Sequence, residues 1–246
     1  MSADERLARS FGRVAELYDR VRPDYSQESL DRAQEALELD GSARVLDLAA
    51  GTGRLTVELE RRFAHVVAVE PDEAMRALNP GREVLAGTAE SIPLDDASVD
   101  AVFVGEAFHW FEPVAAVAEL LRVLRPRGGV VLIGNQWWDP EPELPPRAAE
   151  LLRGPYEASG RATAVETWPE AFASSGAFEP LREETFSRVV TIDADRLLSM
   201  YETTSSFAAL PPSERAALVT SVRPLLADRY RLPIHVELTW TRRVPN

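Results

Sequence analysis

The sequence predicts an α/β protein in which a mostly parallel sheet carries helices on both faces. Strand-like apolar runs alternate with helix-like stretches between residues 44 and 135, the pattern of a parallel sheet. Val45, Leu46 and Leu48 form one such run, and strands buried on both faces are apolar without alternation. The expected strands are 45–48, 65–70, 83–86, 99–104, 130–133, 181–192 and 234–241.

A glycine loop follows the first of these strands. Gly51 and Gly53 let the backbone turn sharply and approach a ligand, because glycine carries no Cβ. Residues 54–62 then show helical spacing, with Leu55 and Leu59 on one face. A strand, a glycine loop and a helix in this order are typical of proteins that bind nucleotide-like ligands.

The residues around the loop indicate which ligand it takes. A dinucleotide fingerprint needs a small residue three positions after the second glycine, where this chain has Thr56, and no Gly-Lys-Ser/Thr tripeptide occurs. Asp47, just before the loop, would repel a pyrophosphate but accept hydrogen bonds from an ammonium group. We therefore expect a ligand with a cationic end and no phosphates. S-adenosylmethionine, with its sulfonium, amino-acid head and adenosine, fits this description.

A second acidic residue lies at the end of the next strand. Glu70 follows Asp47 by 23 residues, close to the spacing at which an acidic side chain reaches a ribose. A carboxylate accepts from both ribose hydroxyls at once. Taken alone, Asp47 could be a solubilising residue at a strand end, and Glu70 could only precede a helix capped by Asp72. The glycine loop between the two carboxylates favours the ligand site.

Four segments together resemble the class I S-adenosylmethionine-dependent methyltransferases. They are the glycine loop, the strand ending in Glu70, the loop 87–94, and the strand 99–104 with the residues up to Phe111. The resemblance is to the small bacterial methyltransferase type 11 branch, which includes trans-aconitate-type enzymes, and it covers residues 10–135 well. It implies a Rossmann-like seven-stranded sheet with the last strand antiparallel, an N-terminal helical cover and a small C-terminal helical cap.

The resemblance also implies a set of cofactor contacts. Asp47 would lie near the amino group, Glu70 would hold the ribose hydroxyls, and Glu106 would close over the methionyl part. Thr88 stands where many relatives carry an Asp beside the adenine, which implies a weaker contact there. The full set of expected cofactor residues is Tyr18, Arg22, Asp47, Ala49, Gly51, Glu70, Pro71, Thr88, Ala89, Glu90, Glu106 and Ala107.

His109 is the candidate catalytic residue. It follows the fourth strand, at the carboxyl end where open α/β sheets bind ligands, and an imidazole side chain is suited to proton abstraction near neutral pH. The alternative is that His109 packs on Trp110 and takes no proton. A base is needed only if the accepting atom keeps its proton at neutral pH, so a carboxylate acceptor would need none. We expect O-methylation to be slightly favoured.

Aromatic residues are expected to shape the acceptor pocket, although large aromatics also dominate protein cores. The candidates are Tyr25, Trp110, Trp137, Trp138 and Tyr201. Exposure of Trp137 and Trp138 would favour substrate contact. Arg22 is expected to pair either with the methionyl carboxylate or an anionic substrate, or to form a surface ion pair.

Composition limits the partners of this chain. The 246 residues include 40 acidic and 27 basic ones, a net charge of −13 that disfavours nucleic acid and anionic membranes as partners. There is no cysteine, and the three histidines lack metal-ligand spacing, so no metal is expected. With no apolar run of membrane-spanning length and no signal sequence at the first residues, we expect a cytoplasmic location. Monomer and homodimer remain open.

The organisation expected is a single domain over residues 1–246. Two helical pieces occupy 1–40, the cofactor-binding core occupies 41–136, and residues 137–246 supply a linker, cap helices and the last two strands. Four prolines in residues 139–146 mark the linker.

We therefore expect a methyltransferase that uses S-adenosylmethionine and acts on a small molecule. Two alternatives stay open. One is a protein of the same fold that binds the cofactor but catalyses another reaction, such as a natural-product cyclisation. The other is a sensor or partner module without turnover.

Overall fold

One sheet of seven strands organises the protein in a computed structural model that describes residues 14–137, 143–158 and 168–245. The strands are β1 (Arg44–Leu48), β2 (His65–Val69), β3 (Val84–Leu85), β4 (Val99–Gly105), β5 (Leu124–Gln136), β6 (Arg182–Asp193) and β7 (Arg229–Arg242). Their spatial order is β3-β2-β1-β4-β5-β7-β6, and all four pairings among β1 to β5 are parallel. The predicted α/β fold with a seven-stranded, mostly parallel sheet is confirmed.

Ten α-helices lie in the described part of the chain. They are α1 (Ala15–Val21), α2 (Gln27–Ala36), α3 (Arg54–Glu60), α4 (Glu73–Leu78), α5 (Pro113–Val123), α6 (Pro146–Ala158), α7 (Trp168–Ser175), α8 (Ala194–Glu202), α9 (Ser205–Ala208) and α10 (Pro212–Val222). Short 3-10 turns cover Phe108–Trp110 and Arg223–Leu225. Within these ranges, none of the helices combines the length and the apolar character that crossing a membrane requires. The sequence did not predict α7 or α9.

The apolar run of β1 is explained by its central place in the sheet. β1 pairs with β2 on one side and β4 on the other, and Val45, Leu46 and Leu48 are at most 1 % exposed. Leu55 and Leu59 of α3 are also buried, so the helix packs with the face that its spacing predicts. Asp47 is therefore an ionisable residue inside the buried part of the strand.

Some predicted boundaries are wrong. β5 begins at Leu124 and not at Val130, because Gly128 and Gly129 lie inside the strand. A Cβ on Gly129 would lie 2.7 Å from Leu37 Cδ1, so close packing, and not a turn, accounts for this glycine. The helix predicted to stop at residues 40–41 ends at Ala36.

The last strand is also longer than predicted. β7 begins at Arg229 rather than Ile234, and buried residues alternate with more exposed ones along its first part. Tyr230, Leu232 and Ile234 all belong to this buried series, which is the period-two pattern of a strand. Residues 1–13 of the predicted N-terminal helical pieces lie outside the described residues, and so do residues 139–142 of the predicted linker.

The chain divides into two compact units. Within the described residues, the first unit comprises 14–23, 136–137, 143–158 and 187–235, and the second comprises 24–135, 168–186 and 236–245. β6 and β7 each contribute residues to both units. The second unit contains most of the predicted cofactor-binding core.

Candidate functional site

The loop between β1 and α3 has an unusual backbone. Ala49, Gly51 and Gly53 have φ angles of 56°, 56° and 87°, in the left-handed region that glycine adopts freely and alanine only with strain. Ala50 N donates to the Val69 carbonyl at 3.0 Å, which ties the loop to the end of β2. The loop therefore has a fixed shape at the carboxyl ends of two parallel strands.

Asp47 is buried beneath this loop with one oxygen available. It is 1 % exposed, and its Oδ2 accepts a hydrogen bond from Thr56 Oγ1 at 2.6 Å. Its Oδ1 is buried and has no hydrogen-bond partner among the described residues. Burial raises the pKa of Asp47 to about 7; the Thr56 hydrogen bond opposes this, and the charge of Glu70 adds to it. A buried acceptor without a partner is costly, and a donor from a ligand would remove that cost.

Glu70 holds two turns of backbone in place. Its Oε2 accepts from Gly51 N at 2.8 Å and its Oε1 accepts from Asp72 N at 2.8 Å. Burial raises the pKa of Glu70, and both backbone hydrogen bonds oppose this. A carboxylate has about four lone-pair positions, so two remain for the ribose contact predicted from the sequence. The sequence did not predict that Glu70 fixes the glycine loop. Pro71, beside it, is exposed.

The loop after β3 forms a small turn. Thr88 and Ser91 form an isolated antiparallel bridge, which leaves Thr88 exposed and Ala89 buried. Glu90 is exposed, and its Oε1 accepts from Glu112 N at 2.9 Å. Glu90 therefore connects this loop to the start of α5, a contact that the sequence did not indicate.

Glu106 links the ends of β4 and β5. Its φ is 60°, its backbone N donates to the Ile133 carbonyl at 2.9 Å, and its Oε1 accepts from Asn135 N at 2.5 Å. Ala107 follows it, half-buried. Asn135 is itself buried, and its Oδ1 has no hydrogen-bond partner in the part of the chain that the structure describes. The only sequence signal for Asn135 was a polar residue at the end of an apolar strand.

His109 lies on the 3-10 turn after β4. Phe108 anchors this turn through ring contacts with Trp168 and Phe172, at centroid distances of 5.7 and 5.5 Å. His109 is exposed, and its ring centroid lies 5.0 Å from that of Trp110. The packing contact named as the alternative is thus present, and the general-base role stays a prediction.

Tyr25 lies at the carboxyl end of β4. A Cβ on Gly105 would collide with the Tyr25 hydroxyl and would stand 3.1 Å from Leu55 Cδ2. The Tyr25 ring therefore occupies the space that glycine leaves, between β4 and the first turn of α3. Among the predicted pocket residues, Tyr25 and Trp110 belong to the same unit as Asp47.

Four other predicted residues gather in the first unit. The guanidinium of Arg22 lies over the rings of Tyr18 and Trp137, at 5.1 and 5.5 Å from their centroids. Arg22 also donates from Nε to Thr203 Oγ1 at 2.8 Å and from Nη2 to the Thr203 carbonyl at 3.0 Å. Tyr201 packs edge-on against Trp137 at 5.1 Å. The sequence predicted each of these residues singly, but not that they form one cluster.

The exposure that would have favoured substrate contact is absent at Trp137, which is 1 % exposed. Tyr201 is buried too. Trp138 lies outside the described residues. The pocket role of Trp137 and Tyr201 therefore stays a prediction without that support.

The fold and the site define a class of protein. A parallel sheet with a glycine loop after β1, and buried carboxylates at the ends of β1 and β2, belongs to the open α/β proteins that bind ligands at the carboxyl ends of their strands. A family model described as a methyltransferase domain matches residues 46–132, which contain the glycine loop and both carboxylates.

Relatives extend this match. An uncharacterized methyltransferase-like protein of Schizosaccharomyces pombe is 32% identical over 184 residues, which cover 72% of this chain and 70% of that protein. An uncharacterized methyltransferase of Mycobacterium tuberculosis is 53% identical over 96 residues, or 37% of this chain and 40% of that protein. A malonyl-[acyl-carrier protein] O-methyltransferase of Methylococcus capsulatus is 42% identical over 96 residues, 35% of each chain. This chain thus matches well under half of the length of the mycobacterial relative.

Solved structures agree at the level of the fold. A geranyl diphosphate methyltransferase in complex with GPP and sinefungin superposes with a TM-score of 0.52 at 15% identity, covering 99% of this chain and 100% of that one.

The chain belongs to the class I S-adenosylmethionine-dependent methyltransferase family.

Proposed function

We propose that this protein transfers a methyl group from S-adenosylmethionine to a small-molecule acceptor, with oxygen slightly favoured as the accepting atom. The observation that carries the proposal is the buried Oδ1 of Asp47, an acceptor available to an ammonium group beside the glycine loop. The acidic surface, with a net charge of −13, supports a small acceptor over a polyanion. The O-methyltransferase among the relatives supports the choice of oxygen.

The second unit supplies the proposed cofactor contacts. Asp47 Oδ1 takes the ammonium group, and Glu70 uses its remaining lone pairs for the ribose hydroxyls. Gly51 allows the ligand to approach the backbone, because it has no Cβ and is held by Glu70. The other residues proposed to line this part are Ala49, Pro71, Thr88, Ala89, Glu90, Glu106 and Ala107.

The chemistry needs an acceptor atom in line with the sulfonium methyl. Orientation of two reactants is worth about 7–11 kcal/mol at best, so most of the rate enhancement can come from binding them together. His109 is the proposed general base for an acceptor that keeps its proton, and its exposed place beside Trp110 leaves it accessible to an acceptor.

Calorimetric titration with S-adenosylmethionine and, separately, with NAD tests the cofactor. We expect micromolar binding of S-adenosylmethionine and no binding of NAD, because no small residue stands at position 56 and Asp47 repels a pyrophosphate. Binding of NAD alone would overturn the proposal. Release of S-adenosylhomocysteine with a panel of hydroxyl and carboxyl acceptors then separates an enzyme from a sensor, which would bind and release none.

A pair of histidine variants tests the base. We expect His109→Ala to lose most of the turnover with near-normal cofactor affinity, while His65→Ala keeps both. His65 is the matched control because it is an exposed histidine at the opposite, amino end of a strand. Normal turnover in His109→Ala would reduce this residue to a packing partner of Trp110.

A further inference from the structure

Thr56, the residue that breaks the dinucleotide fingerprint, is part of a chain of hydrogen bonds that starts in a half-buried turn and ends at the buried Asp47. Thr56 Oγ1 lies 2.6 Å from Asp47 Oδ2 and 3.2 Å from Asn79 Nδ2. Asn79 Oδ1 in turn accepts from Gly81 N at 2.9 Å. The chain therefore runs from a backbone amide, through an amide and a hydroxyl side chain, to the carboxylate under the glycine loop.

Each link of this chain has a fixed direction. Gly81 N–H can only donate, so the atom of Asn79 that it meets is the oxygen, and the other is the amide nitrogen. That nitrogen donates to Thr56 Oγ1. The single hydroxyl hydrogen of Thr56 then points to Asp47 Oδ2. Asp47 therefore receives a hydrogen bond from the protein at one oxygen, and its other oxygen is the one without a partner in the described part of the chain.

Two glycines make room for this chain. A Cβ on Gly53 would stand 2.6 Å from Asn79 Cγ, and a Cβ on Gly81 would stand 2.7 Å from Thr56 Cγ2. Both distances are well below van der Waals contact. Gly53 therefore does more than turn the backbone, because its missing side chain also leaves space for the Asn79 amide.

We propose that Thr56 and Asn79 are positioning residues that fix Asp47 Oδ2 as an acceptor from the protein and reserve Oδ1 for the ammonium group of the cofactor. This inference rests on the proposed function. It assigns the selectivity for an amino-acid end to two residues that are not expected to touch the cofactor. It also gives Thr56 a reason to stand where dinucleotide-binding proteins need a small residue.

Two ligands separate this role from general damage to the site. S-adenosylhomocysteine carries the ammonium group, and 5′-methylthioadenosine keeps the adenosine and thioether but lacks it. We expect Thr56→Val to lower the affinity for S-adenosylhomocysteine about 10-fold, since a hydrogen bond involving a charged group is lost. The affinity for methylthioadenosine should stay unchanged. Thr56→Ser keeps the hydroxyl and is expected to stay within about two-fold of the unchanged protein.

The pH profile gives a second readout. The Thr56 side chain and, more weakly, its backbone N–H hold the pKa of Asp47 down, and Thr56→Val removes only the side-chain hydrogen bond. S-adenosylhomocysteine affinity is expected to fall on acidification as Asp47 is protonated, and in Thr56→Val this fall should occur at higher pH. Glu70 is the titratable group whose charge acts on Asp47. The strand neighbours of Asp47, Ala68 and Phe103, do not titrate.

Unchanged S-adenosylhomocysteine affinity in Thr56→Val, or an equal loss for both ligands, would overturn the inference. Should Thr56→Val not fold, Asn79→Ala decides with the same two ligands, because it frees the Thr56 hydroxyl to rotate away. We expect it to weaken S-adenosylhomocysteine about three-fold and spare methylthioadenosine; no selective loss would overturn the inference. Failure of the unchanged protein to bind S-adenosylhomocysteine would instead refute the proposed function.

Discussion

At the scale of single residues, Asp47 combines a cost in stability with the role in binding that we propose for it. Burial lifts its pKa from 3.8 to about 7, so the folded protein disfavours the ionised form. The stability that this group contributes is complete below about pH 4 and is lost as the pH rises through 7. The same ionised form is the one that an ammonium group needs.

The variant Asp47→Asn tests both the stability cost of this carboxylate and its proposed role in cofactor binding. We expect it to raise the free energy of unfolding at pH 8 by up to about 4 kcal/mol, since each unit of pKa difference is worth about 1.4 kcal/mol, and the gain should shrink towards pH 4. Urea unfolding at several pH values measures this. Cofactor binding should be lost, because Thr56 would hold the amide oxygen and the amide nitrogen would face the ammonium group. Asp95→Asn, an exposed carboxylate, is the control.

Glu70 supports a second residue-scale prediction. We expect Glu70→Ala to weaken S-adenosylmethionine by about 1.5–3 kcal/mol, the worth of hydrogen bonds to a charged group. Glu70→Gln should weaken cofactor binding nearly as much, because a carboxamide has one acceptor oxygen for the two backbone N–H groups of Gly51 and Asp72. Calorimetry measures both, with Glu143→Ala as an exposed control. An unchanged dissociation constant in Glu70→Ala would remove the ribose role.

How far the sequence could predict the site depends on the range of the contacts. The sequence predicted Asp47 and Glu70 as cofactor contacts because strand ends and glycine loops are local patterns. Thr56, which donates to Asp47, lies 9 residues further along the chain. Asn79, which donates to Thr56, lies another 23 residues on. No local pattern specifies which hydroxyl or amide faces a buried carboxylate, so these contacts had to come from the structure.

At the scale of elements, a short helix next to the site depends on its cap. α4 has only six residues, too few to be stable by itself, and Asp72 Oδ1 accepts from Met75 N at 2.9 Å at its start. The sequence analysis named this N-cap as part of the alternative to a ligand role for Glu70, and the structure contains the cap. The α4 segment joins Glu70, a proposed cofactor contact, to Asn79, which donates to Thr56.

Removing the cap gives an element-scale prediction. We expect Asp72→Ala to cost about 1 kcal/mol in unfolding free energy, while Asp72→Asn, which keeps a capping oxygen, stays within a few tenths. Urea denaturation of the three proteins measures this. Equal losses in both variants would show that the charge of Asp72, and not its capping hydrogen bond, stabilises the helix.

At the scale of the whole molecule, charge and chain organisation dominate. With a net charge of −13, the excess acidic side chains repel one another in the folded state, and salt screens this repulsion. This charge follows directly from the amino-acid composition. It did not reveal two units built from separated segments, since the contacts that define them join residues far apart along the chain. The single domain expected from the sequence stays a prediction.

Salt should therefore stabilise the protein. Raising NaCl from about 10 to 100 mM shortens the Debye length from about 30 to 10 Å, and we expect Tm to rise by about 2–4 °C. Scanning calorimetry measures the shift. The same rise in choline chloride would assign it to screening, whereas a fall in both salts would mean that ion pairs outweigh the net repulsion.

The position of β7 has a consequence for how the chain is made. β7 comes last in the sequence but lies between β5 and β6 in the sheet. During synthesis on the ribosome, β5 and β6 emerge first and cannot pair with their final neighbour. Both keep open edges until the last strand inserts between them, and open edges are where chains associate wrongly. The interval before β7 arrives is therefore when the edges of β5 and β6 are open to wrong pairing.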